Sequence, residues 1–382
     1  MRNELVSKYG VLVLKKFKKA KQFLEVVLLF FAAIFYKNRI LFVSLCTFLS
    51  AFVILVVSYA FILFWLNHSI VPKNKTIQYY VADGSSFSVV SKGLAANHIV
   101  WGGLFFKIYG RFQNNVAHIK AGTYIFSEQD TPKSILKKLL EGDTIVVEVT
   151  VSEGLNMYQV AALLAEAYPS VSVQKWLEWM HSKNVIDFLK AKENLENVDN
   201  VEGFLFPQTY FLDPNSKPEA ILKEMILEFN KNIPETMMQK AQLMHLSSVQ
   251  FVTFASMIEK ETENTAEQKE VAAVFWNRLK RKMRLQSDPT VIYGIWDHYS
   301  GRLSKKDLQT SNDYNTYTRY GLPLAPISNP GKKSFEAVLD PAKTTFLYFV
   351  ATGTGSHIFS KDYKEHAGNV KKYLRYLRRN QK

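Results

Sequence analysis

"FASMIEKETEN", residues 254–264, places Glu259, Glu261 and Glu263 within five positions, in a chain that otherwise favours bases by 48 Lys and Arg to 34 Asp and Glu. Phe251, Phe254, Ala255, Met257 and Ile258 precede and overlap these acids at helical spacing, which predicts a helix over 248–263 capped by Ser247 or Ser248. With Glu261 set at 0°, Phe254 falls at about 20°, Met257 at about −40°, Ile258 at about 60° and Phe251 at about 80° on the helical projection. Glu261 therefore lies inside the apolar arc, whereas Glu259, at about 160°, and Glu263, at about 200°, lie at its far border. A carboxylate shielded by apolar neighbours loses hydration of its charged form, so its pKa rises toward the range where it donates a proton near neutrality. That makes Glu261 the best general acid of the three; the competing reading is an ordinary helix-flank Glu paired with a nearby Lys or with Arg278.

Outward from this stretch, 382 residues with 47% apolar and 14% aromatic content suffice for two or three packed domains. Ile40 to Leu66 runs 27 residues without a charge, longer than the roughly 20 that cross a bilayer, and predicts one transmembrane helix. A signal peptide is the rival, but 39 residues precede the run and no small-residue cleavage site follows it. Arg2, Lys8, Lys15, Lys16, Lys18, Lys19, Lys21, Lys37 and Arg39 precede the span and only Lys73 and Lys75 follow closely. The positive-inside rule then leaves residues 1–39 as a basic cytoplasmic tail and exports everything from 67 onward. The expected location is the cell inner membrane, single-pass, with the exported part periplasmic. Phe23 to Tyr36 is apolar but short and contains Glu25, which predicts an interfacial helix.

The single cysteine, Cys46, lies within the span, so the exported part has neither disulfide nor thiol nucleophile. Nine basic and two acidic residues in the tail account for +7 of the net +14, leaving +7 outside. That modest balance fits an anionic polymer or surface, or simply anionic lipid nearby, and export makes nucleic acid an unexpected partner. The eight histidines include no pair at i, i+2 to i+4; there is neither G-x-S-x-G nor a Walker loop, and Gly353-Thr-Gly355 stops short of a dinucleotide fingerprint. No metal or cofactor is expected, and carboxylate chemistry remains.

The exported part opens with a polar linker, 67–75. Residues 76–147 predict a small α+β module with strands at 76–81 and 122–126 and helices at 87–97 and 131–140, the latter entered at Thr131-Pro132 and stopped at Gly142. Residues 148–382 predict a helix-rich α+β domain, with helices at 173–182, 218–231, 248–263, 266–282 and 362–379 and short strands at 347–351 and 357–360. Between Leu308 and Lys332 lies QTSNDYNTYTRYGLPLAPISNPG, which has neither periodicity; a loop this long inside a compact domain is commonly functional.

Several ordered segments now carry a resemblance. ASMIEKET (255–262), VAAVFWNRLKRKMRLQSDPTVIYG (271–294), YNTYTRYGLP (314–323), ISNPG (327–331), LYFVATGTGSHIFS (347–360), EGFLFPQTYFL (202–212) and VSEGLNMYQVAALL (151–164) together resemble the endolytic murein transglycosylases, of the YceG-like kind, over residues 76–380. The resemblance implies that Glu261, the second Glu of E-K-E-T, is catalytic, that 76–147 is a LysM-like glycan-binding module, and that 148–382 is the transglycosylase domain. It suggests Thr262, Gln286, Tyr314, Asn315 and Tyr317 as substrate-binding residues, peptidoglycan glycan strands as substrate, and peptidoglycan synthase complexes as partners. Asp288 and Glu202 read as structural, and His357 as touching substrate or a neighbouring loop. Two positions depart from the family pattern: Gln208 stands for its usual Asp, and Leu324-Ala325 for its usual Pro-Gly. A non-catalytic, membrane-tethered glycan-binding scaffold is the alternative; a true hydrolase, which needs a second carboxylate, is a third reading.

Overall fold

The computed structural model describes residues 21–33, 36–113, 118–193, 195 and 198–380. Most of the basic tail thus lies outside the described residues, as do residues 34 and 35 of the expected 23–36 helix, of which 23–33 is helical. The chain divides into two compact units, residues 1–144 and 145–382.

In the first unit a long helix, α1 (Arg39–Asn67), is followed by β1 (Thr76–Val81), α2 (Phe87–Ala96), α3 (Gly103–Phe112), β2 (Gly122–Ser127) and α4 (Pro132–Glu141). Large apolar side chains of α1 from Ile40 to Phe64 stand exposed, and their mean hydropathy of 2.9 fits a membrane anchor. β1 and β2 pair antiparallel from Thr76↔Ser127 to Val81↔Gly122. The helices start and stop as local chemistry demands: Ser86 caps α2, Thr131 caps α4 with Pro132 in its first turn, and Gly142 ends α4 at φ 76°. Val81, Leu94, Phe106, Tyr124, Phe126, Ile135 and Leu139 form the core, joined by Trp65 from the end of α1.

The second unit contains β3 (Val147–Thr150), α5 (Met157–Ala167), α6 (Val173–Met180), α7 (Lys183–Glu193), β4 (Thr209–Leu212), α8 (Pro218–Asn232) and α9 (Glu235–Leu243). There follow α10 (Ser248–Glu261), α11 (Gln268–Lys280), α12 (Asp288–Gly294), α13 (Lys305–Gln309), α14 (Lys332–Leu339), β5 (Tyr348–Ala351), β6 (His357–Ser360) and α15 (Tyr363–Asn380). Its sheets are two antiparallel pairs, β3–β4 and β5–β6. Because β3 pairs with β4, residues 145–147 belong with this unit rather than with the first.

The helix that carries FASMIEKE is the axis of this unit. Ser247 and Gln250 close a capping box at its start, and every residue from Phe251 to Glu259 is buried. α9, α11, α12 and α14 pack around it. From Phe251 to Glu259 the helix is buried on every side, its polar Thr253, Ser256 and Glu259 included, so the projection drawn from sequence mistook an enclosed helix for an amphipathic one. Burial therefore does not follow the projected arc: Glu259, expected at its border, is more buried than Glu261, expected within it. Between Thr310 and Gly331 the chain forms turns without helix or strand.

Candidate active site

Three acids of FASMIEKETEN meet three fates. Glu259 is buried and accepts from the Gly331 backbone N–H and the Ser334 hydroxyl, both at 2.9 Å, so it caps α14. Glu263 is exposed. Glu261, the last residue of α10, is half-buried and faces a groove of about 330 Å³.

That groove is lined by Glu261, Arg278, Gln286, Asp288 and Tyr317, with Tyr348, Tyr363 and His366 along another wall. The Ser287 hydroxyl donates a close hydrogen bond to Glu261. Burial pushes the Glu261 carboxyl up to about 7; the Ser287 hydrogen bond opposes the rise, the charge of Asp288 adds to it and that of Arg278 opposes it. An acid poised there is half protonated near neutrality, as a group that both gives and takes a proton requires.

The segment from 285 to 290 holds these groups in place. Gln286 adopts φ 47°, a left-handed conformation uncommon for a residue with a Cβ, and its N–H donates to the Thr316 carbonyl at 3.2 Å. Ser287 N–H donates to Thr316 Oγ1 at 2.9 Å, and the Thr290 and Thr316 hydroxyls lie 2.9 Å apart in the interior. This buried hydroxyl chain fastens QSDPT to NTY. Tyr317 then donates to Asp288 Oδ1 at 2.5 Å within the groove. Arg278 donates to the Leu347 and Leu285 carbonyls at 2.7 and 2.6 Å, and its guanidinium lies 5.2 Å from the Tyr348 ring centroid.

The five residues expected to bind substrate thus separate. Gln286 and Tyr317 line the groove with Glu261. Tyr314 instead packs against Tyr293, 4.8 Å between centroids, and lines two other cavities, of about 320 and 210 Å³. Asn315 is fully buried: its amide donates to the carbonyls of Asp307, Leu308 and Thr310, and its Oδ1 accepts from Tyr317 N–H. Every polar group of that side chain is engaged in shaping the loop, which leaves it nothing to offer a sugar. Thr262 is buried and accepts from Asn264 N–H at 3.1 Å, so it ends α10 rather than facing the groove. A Tyr-Asn motif does not reveal which of its side chains turns inward; only packing does.

Of the residues read as structural or undecided, Asp288 lines the groove, and His357 pairs with Glu267 at 2.9 Å, holding β6 to the start of α11. Glu202 is buried, accepts from Met157 N–H at 2.9 Å at the start of α5, and has its carboxyl pushed up to about 8 by burial. Gly203 beside it has φ 87°, and a Cβ there would lie 2.6 Å from Pro326, so the E-G step fits only glycine. The departures Leu324 and Ala325 line the 320 Å³ cavity, and the Gln208 carbonyl accepts from Val151 N–H at 3.0 Å.

Arg278, Ser287, Tyr348, Tyr363 and His366 were not singled out from sequence as groove residues. His366 stacks on Tyr348 at 5.1 Å, and burial together with Arg278 lowers its pKa. Sequence held no signal for this wall, because 347–351 reads as a strand and 362–379 as a charged helix, and only their packing brings them to α10.

The YceG-like family model matches residues 79–372, and the chain belongs to that family. Among its relatives, the endolytic murein transglycosylase of Bacillus subtilis (strain 168) is 35% identical over 311 residues, covering 78% of this chain and 85% of the relative. The endolytic murein transglycosylase of Streptococcus pneumoniae serotype 2 (strain D39) is 27% identical over 341 residues, covering 80% of this chain but only 60% of the longer relative. The crystal structure of a yceG-like protein from Listeria monocytogenes superposes with a TM-score of 0.54 at 33% identity, covering 77% of this chain and 99% of that one.

Proposed function

We propose that this chain is a peptidoglycan-cleaving murein transglycosylase that acts endolytically on glycan strands, with Glu261 as its single acid and base. The observation that carries this is the Glu261 carboxyl, held by Ser287 in an open polar groove with its pKa raised to about 7. In this reading Glu261 protonates the oxygen bridging MurNAc and GlcNAc as the β-1,4 bond breaks. It then takes the proton from the MurNAc C6 hydroxyl as that oxygen closes on C1, giving a 1,6-anhydroMurNAc end. Oxygen count and charge balance without water, and the enzyme returns to its starting protonation. The acetamido carbonyl of MurNAc supports positive charge at C1. Gln286 and Tyr317, on the groove wall, orient hydroxyl and acetamido groups, while Asn315 and Thr262 hold the loop and the helix end that present them.

The first unit, with its paired strands and flanking helices, serves in this reading as the LysM-like glycan-binding module. α1 anchors the enzyme with its N-terminus in the cytoplasm and both units outside, the arrangement its basic flank favours. Cutting nascent strands beside synthase complexes would end their elongation.

A second reading has an observation of its own. Asp288 lines the same groove and accepts from Tyr317, so the groove holds a second carboxylate, as a hydrolase requires. Mass spectrometry of digested glycan decides: anhydro ends, one water lighter than reducing ends, support the transglycosylase. Reducing MurNAc ends sink it, and unchanged glycan with retained binding points to the scaffold. Glu261→Gln, nearly isosteric, should release no anhydro-ended fragments from sacculi.

A further inference from the structure

A patch in the first unit, remote in sequence from Glu261, is exposed among the described residues. α3, GLFFKIYGRF, buries Phe106 and Gly110 on one side, yet Leu104, Phe105, Ile108 and Phe112 are 67, 59, 44 and 81% exposed. On the helical projection these four span an arc of about 100°, centred nearly opposite the buried pair. Lys107 and Arg111 flank that arc on one side, Tyr109 on the other, and exposed Trp101 precedes it. A helix apolar on two opposite faces needs something apolar against each, and the module core supplies only one.

We propose that the outer face of α3 is embedded in the lipid bilayer that α1 crosses, as a second membrane contact of the exported part. Continuity with α1 selects lipid as the occupant. Its exposed apolar surface ends at Phe64, and the next residue, Trp65, is buried in the module core. The Trp65 ring lies 6.5 Å from Phe105 and 6.2 Å from Tyr109, and its indole N–H donates to the Trp101 carbonyl at 3.2 Å. α3 is therefore fixed at the very end of the span. At about 1.5 Å per residue α1 is roughly 43 Å long, against about 30 Å of hydrocarbon, so it overshoots the hydrocarbon, and burial of Trp65 in the module core puts its last turn in the part outside. An aromatic-rich helix with an apolar face and flanking bases, held at that depth, has the composition of an interfacial helix. Exposed Arg111 reaches anionic headgroups. Two attachments, a span and a surface helix, set the tilt of the first unit on the membrane, which a span alone leaves free.

The test uses the full-length chain with Cys46→Ser, in vesicles of phosphatidylethanolamine and phosphatidylglycerol, with single nitroxide-labelled cysteines at 53, 104, 108, 112 and 137. Position 137, whose side chain is 71% exposed, is the aqueous reference. The expected result is that 104, 108 and 112 collide with oxygen severalfold more, relative to a water-soluble nickel chelate, than 137 does, at a shallower depth than 53. Values at 104, 108 and 112 equal to that at 137 overturn the proposal, because the face then looks onto water. Shielding of the three from both reagents overturns it too, since a second copy or another protein then covers them. An aqueous signal at 53 removes the bilayer from α1 and the proposal with it, while leaving anhydro-end release by Glu261 to stand or fall by mass spectrometry.

Discussion

Glu202 and Glu261 both lie in the second unit with carboxyls that burial pushes up, and they teach opposite lessons. Glu202 is sealed in the interior at the start of α5, where a backbone N–H meets it, and Tyr293 and Asn329 close around it. Glu261 ends α10, meets one hydroxyl and looks into a groove. A helix N-terminus supplies amides and a favourable dipole, so a carboxylate there is a structural cap; a helix C-terminus supplies neither. Glu259, which caps α14, repeats the Glu202 pattern. Access and an incomplete set of donors, more than the pKa itself, mark the acid free for chemistry.

Breaking Glu261 should have the largest effect. Glu261→Gln is expected to lower turnover by about 10²–10⁴-fold, the usual worth of a positioned general acid, with an unchanged melting temperature. Glu202→Gln should leave turnover within severalfold, and equal losses in the two variants would erase the contrast. The pH profile sharpens the point, since kcat/KM should fall as pH rises through about 7, the Glu261 value.

Stability against pH comes next, and its sign follows from the proton balance. Glu202 holds its proton up to about 8 in the folded chain, against an ordinary value of 4.5, so the native state binds more protons between those limits. Its contribution is full below pH 4.5 and is lost as pH rises toward 8. Denaturant titrations should show Glu202→Gln flattening this decline by a few kcal/mol, and an unchanged slope would place the carboxyl in a better-solvated setting than its burial indicates.

Asn315→Ala is expected to cost about 1–3 kcal/mol, because three loop carbonyls lose their buried donor, and to lower kcat through the misplaced Tyr317. Higher KM with full stability would return Asn315 to the substrate. The smallest effect belongs to Tyr317→Phe. Losing the bond to Asp288 should lower kcat/KM by up to about fivefold, as one hydrogen bond near 1 kcal/mol allows.

Much of this was legible in sequence because it rests on local chemistry. Thr131-Pro132 and Gly142 announce α4, and the long uncharged run announces α1. α3, α7, α9, α12, α13 and α14 were not foreseen, since such helices are stabilised more by the surfaces they pack against than by their own sequence. Glu261 was reached by a projection that assumed one apolar face, although α10 is surrounded. The residue was chosen for its neighbours; what distinguishes it is that the helix ends there and the groove opens.

By itself the sequence determined the long uncharged helix α1, the helical course of FASMIEKE, the absence of a thiol outside that helix, and through ordered motifs the family. Those depend on composition and near neighbours along the chain. Which acid caps a helix and which faces a groove, that Tyr317 turns inward while Asn315 is consumed by its own loop, and that Arg278 and His366 line one groove with Glu261 were decided by tertiary structure alone. The reason is that desolvation and hydrogen bonding act between surfaces brought together from distant parts of the chain, and no spacing along one segment encodes which surface will meet it.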